Sequence, residues 1–154
     1  MSELHRIPSR INNYNEMKYL ITFLILWLVA PVMLSGQISI TIEIERLRNN
    51  NGKLLLELNN DKEEVIKGFS ETIVDGKCIL EIKDLKPGKY AFKYFHDENN
   101  DEKINTNFMG IPKEGYGFSN NAKGTFGPPS FDKMLFEITK SDTMLCKPAY
   151  ILKQ

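Results

Sequence analysis

The sequence is poor in the residues on which recognisable chemistries rest. Its 154 residues include two cysteines, two histidines and one tryptophan. It also lacks an excess of either charge, because 20 bases balance 20 acids. That balance excludes a basic nucleic-acid footprint or an acidic tail as an organising feature. No phosphate-cradling glycine loop, GxSxG elbow, HExxH helix or CxxC pair occurs. No Asn-x-Ser/Thr sequon occurs either, and Asn105-Thr106-Asn107 does not make one. The lone indole, Trp27, falls in the first 36 residues, so the remainder lacks the tryptophan platform that many carbohydrate modules use. Beyond residue 36 no segment keeps a 3.6-residue apolar period over eleven residues, which excludes long amphipathic helices.

What is present begins with an uncharged apolar run over residues 19–34, YLITFLILWLVAPVML. Arg6, Arg10 and Lys18 precede it, and Ser35-Gly36-Gln37 follows. This order predicts a signal peptide over residues 1–36, with Met17 as an alternative start. An uncleaved anchor and a buried helix are the other readings, since the uncharged stretch continues to Ile42. Pro31 and the polar residues 35–39 disfavour a stable membrane span. No cysteine stands at the exit of the run, which excludes lipid attachment to an N-terminal cysteine. Three of the bases and two of the acids lie before residue 37, so the remaining 118 residues carry a net charge of −1. Residues 37–154 suit one domain in size, and no linker divides them.

The periodic segments predict strands. Ile38, Ile40, Ile42 and Ile44 alternate with polar residues, and Leu54, Leu56 and Leu58 resume the alternation after the Asn49–Gly52 turn signal. The two are expected to form a hairpin. Residues 69–74 are a weaker strand. Asp75-Gly76 is a tight turn into residues 77–83, where Cys78, Leu80 and Ile82 share a face. After Pro87-Gly88, residues 90–96 are apolar on both faces and are expected to lie centrally. Residues 134–138 alternate again, and 149–152 are read as a last short strand. Six or seven short strands joined by Gly, Pro and Asn turns predict an all-β antiparallel sandwich. Cys78 and Cys146 are either two buried thiols or a disulfide bridge, which export would permit. A catalytic thiol has no partner histidine signalled beside it.

Residues 97–130 exceed the ordinary length of a strand connection. Their aromatic and apolar content predicts an ordered lid whose side chains close one end of the sandwich, a ligand-recognition surface, or both. Tyr116, Phe118 and Phe126 are the candidate ligand or partner surface. The loop opens with Asp97, Asn99, Asp101, Lys103 (through its carbonyl) and Asn105, which match positions 1, 3, 5, 7 and 9 of a calcium loop. Phe108 stands where the bidentate acid belongs, and Glu102 stands where a glycine belongs. Calcium and an ion-free acidic turn are therefore both readings of this segment, and no other cofactor is implied. His96 beside Asp97, and a carboxylate pair of Asp97 with Glu114, are the candidates for acid–base chemistry. His96 is read mainly as a structural histidine that, with Asp97 and Glu114, organises the loop.

The stretches DLKPGKYAFKYFHDENND and NTNFMGIPKEGYGFSNNAKGTFGPPSFDKMLFEI resemble the DUF2141 family of bacterial exported proteins over residues 38–140. The shared pattern includes Pro87, Gly88, His96, Asp97, Asn99, Asn107, Glu114 and the Gly115-Tyr116-Gly117 triplet. Glu102 and Asn105 depart from the Gly and Asp that members often carry. The resemblance implies an immunoglobulin-like or prealbumin-like sandwich of about seven strands with one long ordered loop, and it adds Asn107 to the loop-organising residues. It implies no enzyme activity. The expected function is a non-catalytic binding or accessory module of the cell envelope, periplasmic or extracellular, with a protein or glycan partner and no nucleic acid. A purely structural envelope protein and a small hydrolase using Glu114 or His96 are the alternatives.

Overall fold

Alternating isoleucines give the first strand one greasy face, and in the computed structural model they form β1 (Ile38–Ile44) with Ile40, Ile42 and Ile44 buried. The structure describes Lys18 and residues 38–152. The leader expected over residues 1–36 lies outside the described residues apart from Lys18. Among the described residues no helix is long and apolar enough to cross a membrane. The chain continues through β2 (Lys53–Asn60), β3 (Val65–Glu71), β4 (Cys78–Leu85), β5 (Gly88–Asp97) and β6 (Tyr116–Phe118). A 3₁₀ turn (Ser119–Asn121), α1 (Phe131–Met134), β7 (Phe136–Ile138) and β8 (Asp142–Cys146) complete it.

Two sheets share one core. The first has the order β4-β1-β8, and the second β3-β2-β5-β6. β7 also pairs with β5. Because β2 occupies one edge of β5, β6 and β7 share the other, at Lys93–Phe95 and Gly88–Tyr90 respectively. Leu54, Leu56, Leu58, Phe92 and Tyr94 from the second sheet meet Ile40, Ile42, Ile44, Leu80 and Ile82 from the first. Each such side chain contributes about 1.5–3 kcal/mol on full burial. The result is an all-β sandwich with β5 central in its sheet.

Three expectations about pairing are corrected. β1 and β2 do not form a hairpin: β1 pairs with β4 and β8, while β2 pairs with β3 and β5. Residues 45–52 instead arch from one sheet to the other. Arg46 takes a left-handed φ of 64° there, and the buried Leu47 donates its N–H to Gly76 O at 2.9 Å. An arch and a hairpin both need a turn between alternating strands, so periodicity cannot separate them. The sandwich is also not wholly antiparallel, because β8 enters beside β1 in parallel register. The final strand is β8 rather than residues 149–152. Only Ala149 of that segment pairs, in one bridge to Tyr116.

The disulfide reading is corrected as well. Cys78 and Cys146 are free and buried. Both stand opposite Ile44, Cys78 from β4 and Cys146 from β8, so β1 runs between them. Two strand spacings of about 4.8 Å put their backbones beyond the ~7 Å limit for a bridge. Burial pushes both thiols up to about 11.

Candidate functional site: a hydrogen-bonded loop and the groove beside it

Along β5, Phe92, Tyr94 and His96 follow one another on the core-facing side, so His96 ends an apolar stripe. It is fully buried. Its Nε2 lies 2.8 Å from Asn51 O, and a carbonyl only accepts, so Nε2 carries the proton. Nδ1 is hydrogen-bonded to the Tyr150 hydroxyl at 2.9 Å. That hydroxyl in turn accepts from Arg48 N–H at 3.1 Å, and the Arg48 guanidinium lies 4.8 Å from the centre of the Tyr150 ring. The imidazole is thus clamped between the arch after β1 and the C-terminal segment. Sequence reasoning missed both Arg48 and Tyr150.

The next residue, Asp97, is also fully buried, and both its oxygens are taken by backbone. Oδ1 accepts from Asp101 N–H and Oδ2 from Glu102 N–H, each at 3.1 Å. Glu114 works the same way, accepting from Glu98 N–H at 3.0 Å and Asn105 N–H at 2.8 Å. Two buried carboxylates therefore serve as cores on which the loop backbone folds, because backbone N–H groups withdrawn from water need acceptors. Glu98 is pinned from outside by an Arg48 ion pair at 2.6 Å and by Asn49 Nδ2 at 2.8 Å. Burial pushes the Glu98 carboxyl up, but its bonds to Arg48 and Asn49 outweigh that and hold it below its ordinary value. Gly52 closes this corner: it has a φ of +67°, and a Cβ there would strike the Asp97 carbonyl.

The residues read as calcium ligands form one turn. Asn99 Nδ2 bonds Asp101 Oδ2 at 3.0 Å and Asn105 Oδ1 at 2.9 Å, and Asn105 Nδ2 bonds Asp101 Oδ2 at 2.9 Å. Asp101 Oδ1 accepts from Lys103 N–H at 2.9 Å. Side-chain bonds from Asn105 and Asn99 hold the Asp101 carboxyl below its ordinary value. Glu102 adopts a left-handed φ of 61° without being glycine. Among the described residues no group of three or more His, Cys, Asp or Glu side chains is arranged to hold a metal. Beyond this turn, Asn105 and Lys113 pair across a small hairpin, and Asn107 Oδ1 shapes its tip by accepting from Met109 and Ile111 N–H at 2.9 and 3.0 Å.

The expectation that apolar loop side chains close the sandwich is corrected. Phe108 and Phe126 are essentially fully exposed, and Ile104 and Met109 also face solvent. Polar bonds order the loop: the buried Asp97 and Glu114 carboxyls hold its backbone and the buried Ser119 hydroxyl anchors it, while Phe108 and Phe126 stay in solvent. The Gly115-Tyr116-Gly117 triplet has a packing role. A Cβ on Gly115 would strike the Tyr150 ring, and one on Gly117 would strike the Tyr94 ring and hydroxyl. Ser119, fully buried, ties the end of β6 to β5 and α1: its Oγ accepts from Phe92 N–H at 3.1 Å and donates to Met134 O at 2.6 Å.

Beside β6 lies an open groove of about 510 Å³. Tyr116 and Phe118 line it, with ring centres 6.0 Å apart in an edge-on arrangement. Asn121 forms part of the wall and is fixed to the end of β8, donating to Leu145 O and accepting from Lys147 N–H at 2.9 and 2.8 Å. Phe126, grouped with Tyr116 and Phe118 on sequence grounds, is not among the lining residues, although Gly124 and Gly127 on either side of it are. His96, Asp97 and Glu114 do not line the groove.

A family profile described as an uncharacterized protein conserved in bacteria (DUF2141) matches residues 42–145. The chain belongs to the DUF2141 family. No curated protein and no solved structure matches it. The DUF2141 match covers the buried His96–Asp97–Glu114 set and the aromatic pair of the groove. It stops before Tyr150, the residue that completes the hydrogen bonding of His96.

Proposed function

We propose that this DUF2141 protein is an exported, non-catalytic binding module of the bacterial cell envelope, and that its contact surface is the Tyr116–Phe118 groove. We read the two sheets as an immunoglobulin-like or prealbumin-like sandwich, a scaffold that presents recognition loops from rigid edges. One observation carries the functional reading. The groups able to do acid–base chemistry, His96 and Glu114, are buried and have their polar atoms bonded to the protein itself. The open groove has aromatic walls and no histidine or carboxylate. A hydrolase needs its acid or base within reach of substrate, and neither group meets that need.

Retention of the purified full chain on isolated envelope fractions tests this. Tyr116→Ala combined with Phe118→Ala is expected to abolish retention while thermal unfolding stays cooperative. Retention unchanged by the double substitution would place the contact surface elsewhere, and no retention of the parent chain would point to a purely structural role. Turnover of polysaccharide, peptide or ester substrates that Glu114→Gln removes would establish the hydrolase instead.

A further inference from the structure

The lining of the groove is one-signed in charge, although the chain as a whole is neutral. Arg46, Lys123 and Lys147 line it, and no acidic residue does. The three cations come from separate segments: the arch after β1, the stretch after the 3₁₀ turn, and the end of β8. All are exposed. The ion pairs among the described residues use Arg48, Lys53, Lys77, Lys83 and Lys93, and none of these three. Lys147 bonds Asn121 through its backbone N–H, which leaves its ammonium uncommitted. The neighbouring acid, Glu45, is engaged by Lys77 at 2.9 Å. Lys77, with smaller contributions from Lys147 and Arg46, holds the Glu45 carboxyl below its ordinary value, which keeps it a spoken-for anion.

We infer that the groove binds an anionic glycan, a chain whose sugar rings carry carboxylate or phosphate groups. The inference rests on the binding-module reading and names its ligand class. Charge complementarity supplies the anion: three unpaired cations around one cleft attract negative charge and repel a basic partner. The Tyr116–Phe118 pair supplies flat apolar faces against which the C–H face of a sugar ring packs. The volume lies within the roughly 300–1,000 Å³ typical of ligand clefts, enough for a short segment of a polymer. Nucleic acid fits less well, because a phosphate backbone is met by a stripe of cations along its length, and this neutral chain offers one cluster.

Titration calorimetry of the purified full chain tests the inference, with chelator present. The probes are galacturonate oligomers for carboxylate, a phosphorylated glycan oligomer for phosphate, neutral dextran oligomers and single-stranded oligo-dT. Binding is expected for one or both anionic sugars and not for dextran, and it should weaken as salt rises. Which probe binds identifies carboxylate or phosphate as the recognised group. Arg46→Ala, Lys123→Ala and Lys147→Ala together should cost about tenfold or more in affinity. Because all three side chains are exposed, the melting temperature should hold. Tyr116→Ala/Phe118→Ala should weaken binding of the same probe. Equal binding of dextran, unaffected by the triple substitution, would overturn the anionic class and leave the binding module standing. Tighter binding of oligo-dT would replace glycan by nucleic acid. Failure of every probe at millimolar concentration would overturn this inference alone, because the envelope-retention assay reports separately on the module.

Discussion

The hydroxyl of Tyr150 lies 2.9 Å from Nδ1 of His96, across 54 positions of chain. That bond joins the C-terminal segment to the end of β5, and the Tyr150 ring fills the space that Gly115 leaves open. Tyr150→Phe keeps the ring but leaves a buried imidazole nitrogen without its partner. A loss of about 1–3 kcal/mol is expected in urea unfolding. Tyr150→Ala removes the ring as well and should cost more, about 3–5 kcal/mol, as for other large aromatic truncations. Equal stability of Tyr150→Phe and the parent chain would show that water replaces the hydroxyl.

The glycines of the Gly115-Tyr116-Gly117 triplet make the next prediction. Gly117→Ala drives a methyl group into Tyr94 and should destabilise by about 1–3 kcal/mol through overpacking. Combining it with Tyr94→Leu should recover part of that loss, which a double-mutant cycle would register as coupling. Tyr94→Phe by itself should be neutral or slightly stabilising, because the Tyr94 hydroxyl is buried without a hydrogen-bond partner among the described residues.

Acid should loosen the loop through Glu98. Its folded value lies below the ordinary 4.5, because Arg48 and Asn49 outweigh the effect of burial. A depressed carboxylate contributes stability that is fully present above its unfolded value and is lost as pH falls through the folded one. Protection factors of the amides over residues 97–115, referred to the intrinsic exchange rate at each pH, should therefore be high near neutral pH and fall as pH drops below the ordinary 4.5. Glu98→Gln should flatten that part of the profile. A profile unchanged by the substitution would assign the acid sensitivity to other groups.

The thiols should be silent in the folded protein. Cys78 and Cys146 are buried, and burial raises both to about 11, so thiolate is scarce at pH 8. Ellman's reagent should titrate both only after unfolding. Intact mass after mild oxidation should retain both thiol hydrogens. A mass loss corresponding to one disulfide would require β1 to move from between the two cysteines.

The acidic turn is tied together by the protein's own hydrogen bonds. Asp97 and Glu114 spend their oxygens on backbone N–H groups, and Asp101 spends its own on Asn99, Asn105 and Lys103. Chelation is thus expected to leave the melting temperature unchanged. A rise of several degrees at millimolar calcium, lost in Asp101→Asn, would show that these oxygens exchange their protein donors for a cation.

Much of the strand content was legible because period-two alternation is a local signal. Ile40, Ile42 and Ile44 on β1 and Leu54, Leu56 and Leu58 on β2 face the core as their spacing requires. The pairing of those strands was not legible. The Asn-rich turn at 49–52 reads the same whether it folds a hairpin or carries the chain between sheets, and the choice rests on Leu47 finding Gly76 and on β4 and β8 flanking β1. In the loop, His96, Asp97, Asn107 and Glu114 stood out by type and by family pattern. Arg48 and Tyr150 carried no local signal, because each acquires its role only from a partner about fifty to a hundred residues away.

Sequence by itself determined that the chain after residue 36 is a neutral, strand-rich domain of the DUF2141 family with an unusual loop after its most apolar strand. Those properties are sums or short-range periods, which a linear reading captures. The tertiary structure decided the rest. It separated Cys78 from Cys146 by a strand, turned Phe108, Met109 and Phe126 outward, and buried Asp97 and Glu114 as hydrogen-bond acceptors. It also gathered Arg46, Lys123 and Lys147 around Tyr116 and Phe118. The physical reason is common to all four outcomes: each depends on which sheet edge a segment reaches, and that is fixed by long-range packing and by the need of every buried polar group for a partner.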